Sequence, residues 1–231
     1  MSSKVPTHIA LVLDGNRRYA KKIGLQPWKG HEFGVKKLEE LFKWCIELDI
    51  KELTLYCFST ENFRRAKKEV DYLFNLFWKE FEKMKQGRGV FKDKVKVNVI
   101  GRTKMFSKKM QEAMIEAMET TKKNEALLVN FAMAYGGRQE ITDAFKNIIK
   151  NSKKIKPNQI DEILITKNLY LKSEPDLVIR PGGEKRMSNF LLWQSCYSEL
   201  FFTDKLWPEF TKKDLIKCIE EFNKRDRRFG S

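Results

Sequence analysis

The sequence predicts a single α/β domain built on a mostly parallel sheet of six strands. Its 231 residues, 42% of them hydrophobic, are enough for one sizeable core and few for two. Strand-like runs alternate along the chain with segments of helical period, an order that favours right-handed βαβ units. No internal repeat, low-complexity tract or linker divides the chain. We therefore interpret residues 1–231 as one domain.

Six short runs rich in branched aliphatic and aromatic residues have the length and composition of strands. The segments between them are long enough to hold the crossover connections that parallel strands need. The predicted strands are His8–Leu13, Glu52–Phe58, Val95–Ile100, Ala126–Ala132, Leu177–Ile179 and Glu199–Phe202.

Apolar residues recur at helical spacing between these strands. Helix-start signals mark two further helices, because Ser107 precedes a helix with methionines on one face and Thr211 forms a capping-box pattern with Asp214. The clearest stripes are Val35, Leu38, Phe42, Cys45 and Leu48 on one helix, and Val70, Leu73, Phe74, Phe77, Trp78, Phe81 and Met84 on the next.

Charge and composition narrow the function classes. A net charge of +15 suits nucleic acid, an anionic membrane surface or phosphorylated substrates, although many lysines lie in mixed-sign helical stretches typical of a solvated face. The first residues lack the apolar stretch of a secretory signal, so we expect a cytoplasmic protein. The four cysteines are scattered without a CxxC pair, which favours reduced, mostly buried thiols.

Polar residues follow the first predicted strand, where ligands of a parallel sheet bind. Asp14 and Gly15 are followed by Asn16 and by the pair Arg17 and Arg18. A turn with two arginines favours a diphosphate, which Asp14 would repel unless a cation such as Mg²⁺ came between them. The alternative is that Asp14 is a helix N-cap and the arginines are surface charges.

Two other strand ends carry similar residues. Hydroxyls, an amide, a carboxylate and arginines cluster in the loop from Phe58 to Arg65, and two arginines and a serine surround the Gly-Gly turn from Arg180 to Ser188. His31 follows Gly30 at the start of a predicted helix near the same edge. Two anion sites at one edge of the sheet indicate two phosphorylated substrates.

These motifs, in this order, resemble the cis-prenyltransferases, the undecaprenyl and dehydrodolichyl diphosphate synthase family. The resemblance extends from about His8 to Gly230. It rests on six blocks and the C-terminal tail: the segment ending Asp14-Gly-Asn, Leu-Tyr-Cys-Phe58-Ser-Thr-Glu-Asn62-Phe, Tyr135-Gly-Gly-Arg138, Asp176-Leu-Val-Ile-Arg180-Pro-Gly-Gly-Glu, Ser188-Asn-Phe-Leu-Leu-Trp-Gln, Leu206-Trp-Pro, and Arg227-Arg228-Phe-Gly230.

The resemblance implies a six-stranded, mostly parallel sheet surrounded by helices, assembled as a homodimer through the Arg228-Phe-Gly230 tail. It also implies roles: Asp14 would hold Mg²⁺ with Glu199 as a second carboxylate nearby, and Asn62 would assist proton removal. The allylic diphosphate site would consist of Gly15, Asn16, Arg17, Arg18, Tyr19 and His31. The reaction centre would be shaped by Ser59, Thr60, Glu61, Phe63 and Arg65, and isopentenyl diphosphate would be bound by Arg180, Arg186, Met187 and Ser188.

The chain departs from the bacterial pattern at three positions. Pro27 stands where bacterial members carry a diphosphate-binding arginine, and either Arg17, which replaces a common glycine, or Lys29 would supply the missing charge. Phe63 replaces a usual tryptophan. The segment from Pro27 to His31 is more similar to the archaeal branch, whose primer would be geranylgeranyl rather than farnesyl diphosphate.

The implied activity is condensation of isopentenyl diphosphate onto an allylic prenyl diphosphate with Mg²⁺, yielding a long-chain Z-polyprenyl diphosphate that serves as a lipid-carrier precursor. The sequence contains no DDxxD motif, which disfavours a trans-prenyltransferase. The growing tail needs an apolar tunnel, and the aromatic stripe from Glu69 to Met84 would form one of its walls. Phe74 or Trp78 would then be the position at which a substitution changes product length. The alternative is that this stripe is packed core. Release of the lipid implies peripheral membrane contact.

Two other functions are compatible with parts of the sequence. A non-catalytic prenyltransferase-like partner subunit is one, but such relatives tend to lack the metal aspartate that is present here as Asp14. A basic nucleic-acid-binding protein is the other, suggested by the net charge. No recognisable binding module supports it, and the arginines gather at strand ends rather than along one face, so we expect no nucleic acid partner.

Overall fold

The computed structural model describes residues 5–151 and 155–225. Within these ranges the chain forms one domain of six strands and seven α-helices. The strands are β1 (His8–Val12), β2 (Glu52–Ser59), β3 (Val95–Ile100), β4 (Leu127–Tyr135), β5 (Leu177–Pro181) and β6 (Glu199–Thr203). The helices are α1 (Asn16–Lys22), α2 (Gly30–Glu47), α3 (Lys67–Lys85), α4 (Lys108–Thr121), α5 (Gly137–Asn151), α6 (Glu162–Asn168) and α7 (Lys212–Asn223).

The strands form one sheet in the order β3-β4-β2-β1-β5-β6, and every neighbouring pair is parallel. The chain first builds outward on one side of β1 and then crosses to add β5 and β6 on the other. Strand β1 therefore lies where the direction of winding reverses, which is the place where open parallel sheets bind ligands beyond their carboxyl ends. The loops after β1, β2 and β5 meet at this edge.

The predicted α/β class and all six strands are confirmed, and four strands extend past their predicted carboxyl ends, β4 and β5 by more than one residue. Strand β4 continues to Tyr135, paired with Ser59, and β5 continues to Pro181, paired with Thr203. A charged residue and a proline interrupt the apolar pattern of β5, so no sequence pattern indicated the last pairs of that strand. As a consequence, Arg180 lies inside the sheet and not in the loop that follows it.

Alternating residues of the strands pack on opposite faces of the sheet. In β1, Ile9 and Leu11 belong to the larger apolar cluster, whereas Ala10 and Val12 belong to a smaller one. The larger cluster contains residues of α2, α3, α4 and α7. This face is also the one that encloses the cavity described below.

Both predicted helix caps are present. The Ser107 hydroxyl accepts a hydrogen bond from the backbone N–H of Met110, and Thr211 forms a capping box with Asp214. These bonds satisfy backbone N–H groups that the first turn of a helix leaves without partners. The sequence signals for the starts of α4 and α7 were therefore sufficient.

In the described ranges, no helix combines the length and the apolar character that crossing a bilayer requires. All four cysteines are free, and burial raises the pKa of Cys45 to about 12. A thiol with such a pKa stays protonated at neutral pH. Cys45 and Cys218 are buried as expected, whereas Cys57 is partly exposed and Cys196 is exposed.

The Leu206-Trp-Pro block locks the loop after β6 onto the turn after β1. Trp207 is completely buried; its backbone N–H donates to the carbonyl of Asp14 at 2.9 Å, and its indole N–H donates to the carbonyl of Gly34 at 2.9 Å. A side chain at Gly34 would stand 2.3 Å from Asn16 Oδ1 and 3.0 Å from Trp207 Cδ1. The glycine therefore allows α2, the β1 turn and Trp207 to pack together.

We expect Trp207→Phe to destabilise the fold by about 1–3 kcal/mol, because the carbonyl of Gly34 would lose its buried donor. Chemical denaturation of the variant and the wild type measures the difference. The matched control is Trp193→Phe. The partly buried indole of Trp193 donates to Thr166 Oγ1 at 3.0 Å, and water can replace this hydrogen bond more readily. An equal loss in the two variants would contradict the assigned importance of the Trp207 contact.

Candidate active site

A cavity of about 380 Å³ opens at the carboxyl edge of the sheet and extends between the sheet, α2 and α3. Its mouth is polar, and the rest of its lining is mainly apolar, with Glu39 and Glu80 as the charged exceptions. The mouth is lined by Asp14, Asn16, His31, Ser59, Asn62, Arg65, Arg180, Arg186 and Ser188. The interior is lined chiefly by Leu38, Phe42, Leu73, Phe77, Phe81, Met84, Phe91, Phe131 and Met133.

A second, shallower basin of about 430 Å³ adjoins the mouth. It shares Asp14, His31 and Arg65 with the cavity and adds basic groups from α1. Its lining residues are Leu13, Asp14, Gly15, Asn16, Arg17, Arg18, Lys21, His31 and Arg65. A basin with four cationic side chains and one carboxylate favours a polyanionic ligand.

Asp14 stands between the two sites and both of its oxygens are engaged. Oδ1 accepts from the backbone N–H of Gly15 at 2.6 Å and lies 3.3 Å from Arg18 Nη2, while Oδ2 accepts from Arg180 Nη2 at 2.9 Å. Gly15, at φ 103°, occupies the N-cap position of α1, and no side chain caps this helix. The structure therefore does not support the alternative interpretation of Asp14 as the helix cap.

Arg180 is 5% exposed and organises the turn after β5. Its Nη1 donates to Ser188 Oγ at 2.7 Å and to the carbonyl of Arg186, while its Nε has no protein partner. The side chain of Arg186 is exposed and pairs with Glu184. Arg180 thus stabilises this turn through its hydrogen bonds, and Arg186 and Ser188 present polar groups at the mouth.

The loop after β2 is held by its own capping box. The backbone N–H of Ser59 donates to Asn62 Oδ1 at 3.1 Å, and the Ser59 hydroxyl accepts in return from the Asn62 backbone. Beyond the loop, the buried carboxylate of Glu69 lies 3.1 Å from Arg65 and 3.7 Å from Arg17. One buried carboxylate therefore lies beside two arginines, Arg17 of α1 and Arg65 of the loop after β2.

His31 is partly buried beside these arginines, and its Nε2 atom is buried without a protein partner. The pKa of His31 is lowered to about 3, chiefly by burial and further by the charges of Arg65 and Arg17. The imidazole is therefore neutral at neutral pH. A buried polar atom without a partner, in a cavity wall, is well placed to contact a bound ligand.

Apart from Glu199, five residues predicted for the site line neither the cavity nor the basin. Phe63 packs in an aromatic cluster, with its ring centroid 5.0 Å from that of Phe58, and Tyr19 packs edge-on against Phe33 at 5.3 Å. The two rings support the walls of the site without reaching its space. The five residues are Tyr19, Thr60, Glu61, Phe63 and Met187.

The structure does not bring Glu199 to Asp14 within one chain. Glu199 is at the amino end of β6, level with Leu177 and Ile9, whereas Asp14 follows the carboxyl end of β1. Five residues of strand separate the two levels, which is roughly 16 Å at ~3.3 Å per residue. Glu199 pairs instead with Arg225, so the prediction that it lies near the same metal is wrong for a single chain.

Some lining residues were missed by sequence reasoning. Lys21 lines the basin, and the buried Glu69 holds its arginines, yet in sequence both resemble ordinary charges of a helix. At the departure marked by Pro27, the structure favours Arg17 as the substitute charge, because Arg17 lines the basin whereas Lys29 pairs with Glu32 at 3.3 Å.

Phe74 and Trp78 do not line the cavity, so the structure gives no support to them as the length-sensitive positions. The cavity face of α3 is formed by Leu73, Phe77, Glu80, Phe81 and Met84. The predicted dimer motif, Arg228-Phe-Gly230, lies outside the described residues.

The comparisons with known proteins agree with this geometry. The undecaprenyl diphosphate synthase family matches residues 12–230 of the chain. The tritrans,polycis-undecaprenyl-diphosphate synthase (geranylgeranyl-diphosphate specific) of Thermococcus kodakarensis is 50% identical over 99% of this chain and 88% of its own length. An isoprenyl transferase of Thermus thermophilus is 44% identical over 98% of this chain and 89% of its own.

Two solved structures share the fold. The lavandulyl diphosphate synthase of Lavandula x intermedia, in complex with dimethylallyl diphosphate, has a TM-score of 0.92 and 33% identity, covering 98% of this chain and 99% of that one. A probable undecaprenyl diphosphate synthase of Campylobacter jejuni has a TM-score of 0.83 and 36% identity, covering 99% of this chain and 100% of that one. The chain belongs to the undecaprenyl diphosphate synthase family, and it is a cis-type transferase of prenyl groups.

Proposed function

We propose that this chain condenses isopentenyl diphosphate onto an allylic primer in the presence of Mg²⁺ to make a long-chain Z-polyprenyl diphosphate, the precursor of a lipid carrier. The observation that carries the proposal is the convergence of two basic clusters at the polar mouth of one apolar cavity. Such a mouth suits two diphosphate groups, and such an interior suits a hydrocarbon tail. A prenyl diphosphate combines both features in one molecule.

The basin provides the site for the allylic diphosphate. Arg17, Arg18, Lys21 and Arg65 surround it, and the neutral His31 faces the same space. Because Glu69 holds Arg17 and Arg65 in place, part of the cost of ordering these side chains is met before the ligand arrives. The allylic tail then extends from the basin into the adjoining cavity.

The turn after β5 provides the site for isopentenyl diphosphate. Arg186 and Ser188 present polar groups at the mouth, and the buried Arg180 connects this turn to Asp14. The two diphosphates would thus bind on either side of the Asp14 carboxylate. Fixing both substrates in one geometry lowers the entropic part of the barrier.

The donor set at the mouth fits Mg²⁺. No group of three or more His, Cys, Asp or Glu side chains in the described part of the chain could hold a metal, and Asp14 is a single carboxylate among arginines. Mg²⁺ is commonly held by one or two carboxylates together with substrate phosphates and water. When bound, it would neutralise negative charge on the departing diphosphate.

The residues of the chain have separate tasks in this reaction. The allylic C–O bond breaks and its electron pair leaves with the diphosphate, whose charge Arg17, Arg18 and Arg65 stabilise. The double bond of isopentenyl diphosphate supplies the electrons of the new C–C bond, and transfer of a proton from this unit to a diphosphate oxygen forms the Z double bond. The carboxamide of Asn62, held by Ser59 at the mouth, is our candidate to assist that proton loss.

The choice of primer is proposed from Pro27, one of the positions at which the chain differs from the bacterial pattern. The relative from Thermococcus kodakarensis is named as specific for geranylgeranyl diphosphate, and we propose the same primer here, with farnesyl diphosphate as the alternative. We also propose that the protein is a homodimer and contacts the membrane peripherally when it releases product. The basic side chains around the basin are used for substrate in this proposal and do not require a nucleic acid.

Incubation with labelled isopentenyl diphosphate and each primer, followed by chromatography, tests the function. We expect elongation by the wild type with Mg²⁺, and a loss of at least about 100-fold in Asp14→Asn. The asparagine keeps an acceptor for Arg180, so the fold should persist. Asp49→Asn, at an exposed carboxylate paired with Lys51, is the matched control and should retain full activity.

Two results would contradict this proposal. The first is a wild-type protein that elongates neither primer, which would reject the function itself. The second is wild-type turnover in Asp14→Asn with Mg²⁺ present, which would reject the role of the carboxylate.

The aromatic end of the cavity should limit product length. We call this end the floor of the cavity; it consists of Phe42, Phe81, Met84, Phe91 and Phe131. On α3, Met84 of the floor is eleven residues from Leu73, which is nearer the mouth, and this separation corresponds to roughly 16 Å along the helix. We expect Phe91→Ala to lengthen the products, because the tail would meet its obstruction later. Chromatography of the products, paired with melting temperatures, measures the effect.

The matched control for the floor is Phe106→Ala, since both rings are buried but only Phe91 lines the cavity. The control should lower stability by roughly 3 kcal/mol or more without lengthening the products. If Phe91→Ala also loses stability and leaves product length unchanged, the floor is ordinary core.

The depressed pKa of His31 should make stability depend on pH. The pKa is 6.5 in the unfolded chain and about 3 in the fold, so the unfolded state binds more protons between these values. The stabilisation is complete above about pH 6.5 and falls as the pH drops towards 3, by about 1–2 kcal/mol down to pH 5.

Denaturation at about pH 7 and pH 5 measures this dependence. We expect His31→Gln to lose less stability than the wild type over the interval, because glutamine does not titrate. His8 also has a pKa lowered by burial, so His8→Gln serves as the second variant that isolates its share. Equal pH dependence in His31→Gln and the wild type would refute the assignment.

A further inference from the structure

We propose that Asn189 is a positioning residue that holds the turn after β5 at a fixed distance from the loop after β2. The inference rests on the proposed function, because these two segments carry Ser188 of the isopentenyl diphosphate site and Asn62 of the reaction centre. Asn189 itself lines neither the cavity nor the basin. Its hydrogen bonds join α5 to the loop after β2, and its neighbour in the chain, Ser188, belongs to the isopentenyl diphosphate site.

The first contact is with the start of α5. The backbone N–H of Gly137 donates to the carbonyl of Asn189 at 2.7 Å, and that of Arg138 donates to Asn189 Oδ1 at 2.9 Å. These are the first two N–H groups of the helix, which have no partner within it. Asn189 therefore caps α5 from a position about fifty residues away along the chain.

The glycines of the Tyr135-Gly-Gly-Arg138 block make room for this approach. A Cβ at Gly136 would stand 2.6 Å from Asn189 Nδ2 and 2.3 Å from Gln139 Oε1, and a Cβ at Gly137 would stand 2.8 Å from Leu192 Cγ. A side chain at Gly137 would collide with Leu192 of the segment after β5, and one at Gly136 would push aside the amides of Gln139 and Asn189. The two glycines thus allow the segment 189–192 to pack closely against the start of α5.

The second contact is with the loop after β2. Asn189 Nδ2 donates to Glu61 Oε1 at 3.0 Å and to Gln139 Oε1 at 3.0 Å. Glu61 immediately precedes Asn62, whose carboxamide is bonded to the Ser59 N–H. The amide of Asn189 therefore reaches the segment that carries the proposed reaction centre through one hydrogen bond.

The third connection runs along the chain, from Asn189 to the isopentenyl diphosphate site. Ser188 adjoins Asn189; its hydroxyl accepts from Arg180, and its carbonyl accepts from the Tyr56 hydroxyl at 3.3 Å. Ser188, Asn189 and Leu191 all have left-handed φ angles, of 50°, 64° and 44°. Each such conformation is strained for a residue other than glycine. This turn keeps its shape because its contacts outweigh that strain.

Asn189 therefore acts on the geometry between the two substrates and not on the affinity for either one. A displacement of about 1 Å between reacting groups can cost ~100-fold in rate. Loss of the amide should lower kcat and leave the KM of each substrate almost unchanged. A purely structural role would lower stability and would not separate kcat from KM.

Two variants test this role. Asn189→Gly removes the side chain and accepts the left-handed φ, and Asn189→Asp keeps the shape but places a second carboxylate against Glu61. We expect kcat to fall roughly 10- to 100-fold in both, with KM values for both substrates within about 3-fold of the wild type. Gln139→Ala, which removes only the other acceptor of the amide, is the matched control and should stay within about 3-fold of wild-type kcat.

The decisive measurement is the double variant Asn189→Asp with Glu61→Gln, which reverses donor and acceptor across the pair. We expect it to recover at least about a third of the kcat lost in Asn189→Asp, because a glutamine amide can donate to the new carboxylate. Melting temperatures are recorded for every variant. Recovery of turnover by this exchange would support a tie between the two segments.

The outcomes separate this inference from the proposed function. If the wild type elongates no primer, the proposed function is rejected, whatever the activities of the variants are. An active wild type with Asn189→Gly and Asn189→Asp both within about 2-fold of its kcat overturns the inference alone. A loss of kcat that follows a large fall in melting temperature, and that the exchange does not recover, also overturns it, because Asn189 would then be structural.

Discussion

The guanidinium of Arg180 lies inside a parallel strand, almost fully buried, and the carboxylate of Asp14 on the neighbouring strand end balances its charge. A buried cation is tolerated only where it is paired and hydrogen-bonded. Arg180 meets this condition by holding Asp14, Ser188 and the carbonyl of Arg186 together. The positions of the turn after β1 and the turn after β5 both depend on this one group.

Other loops reach the same edge of the sheet through contacts of the same kind. Trp207 fixes the turn after β1 to α2, Glu69 fixes two arginines, and Asn189 joins α5 to the loop after β2. None of these residues needs to touch a substrate. Together they hold the basic side chains of the mouth near one another against their mutual repulsion. They also keep these side chains next to a cavity that is lined by aromatic rings. The proposed chemistry requires both environments in contact.

Much of the architecture could be predicted from the sequence because it is encoded locally. Branched aliphatic runs indicated all six strands, and side-chain caps at Ser107 and Thr211 indicated the starts of α4 and α7. Ser59 and Asn62 were placed at the mouth by their position after a strand, where parallel sheets expose their loops. The roles assigned to the site residues stay predictions until activity is measured.

By itself the sequence determined the α/β class, the order of the motifs along the chain and the set of charged residues that follow the strands, since each depends on neighbours a few positions away. Only the tertiary structure decided that Arg180 is buried within β5, that Phe74 and Phe63 do not line the cavity, and that Glu199 lies at the opposite end of the sheet from Asp14. These features depend on which residues, distant along the chain, share a strand level or a helix face. Burial, pairing and the direction of a side chain are set by such long-range packing, and no local pattern encodes them.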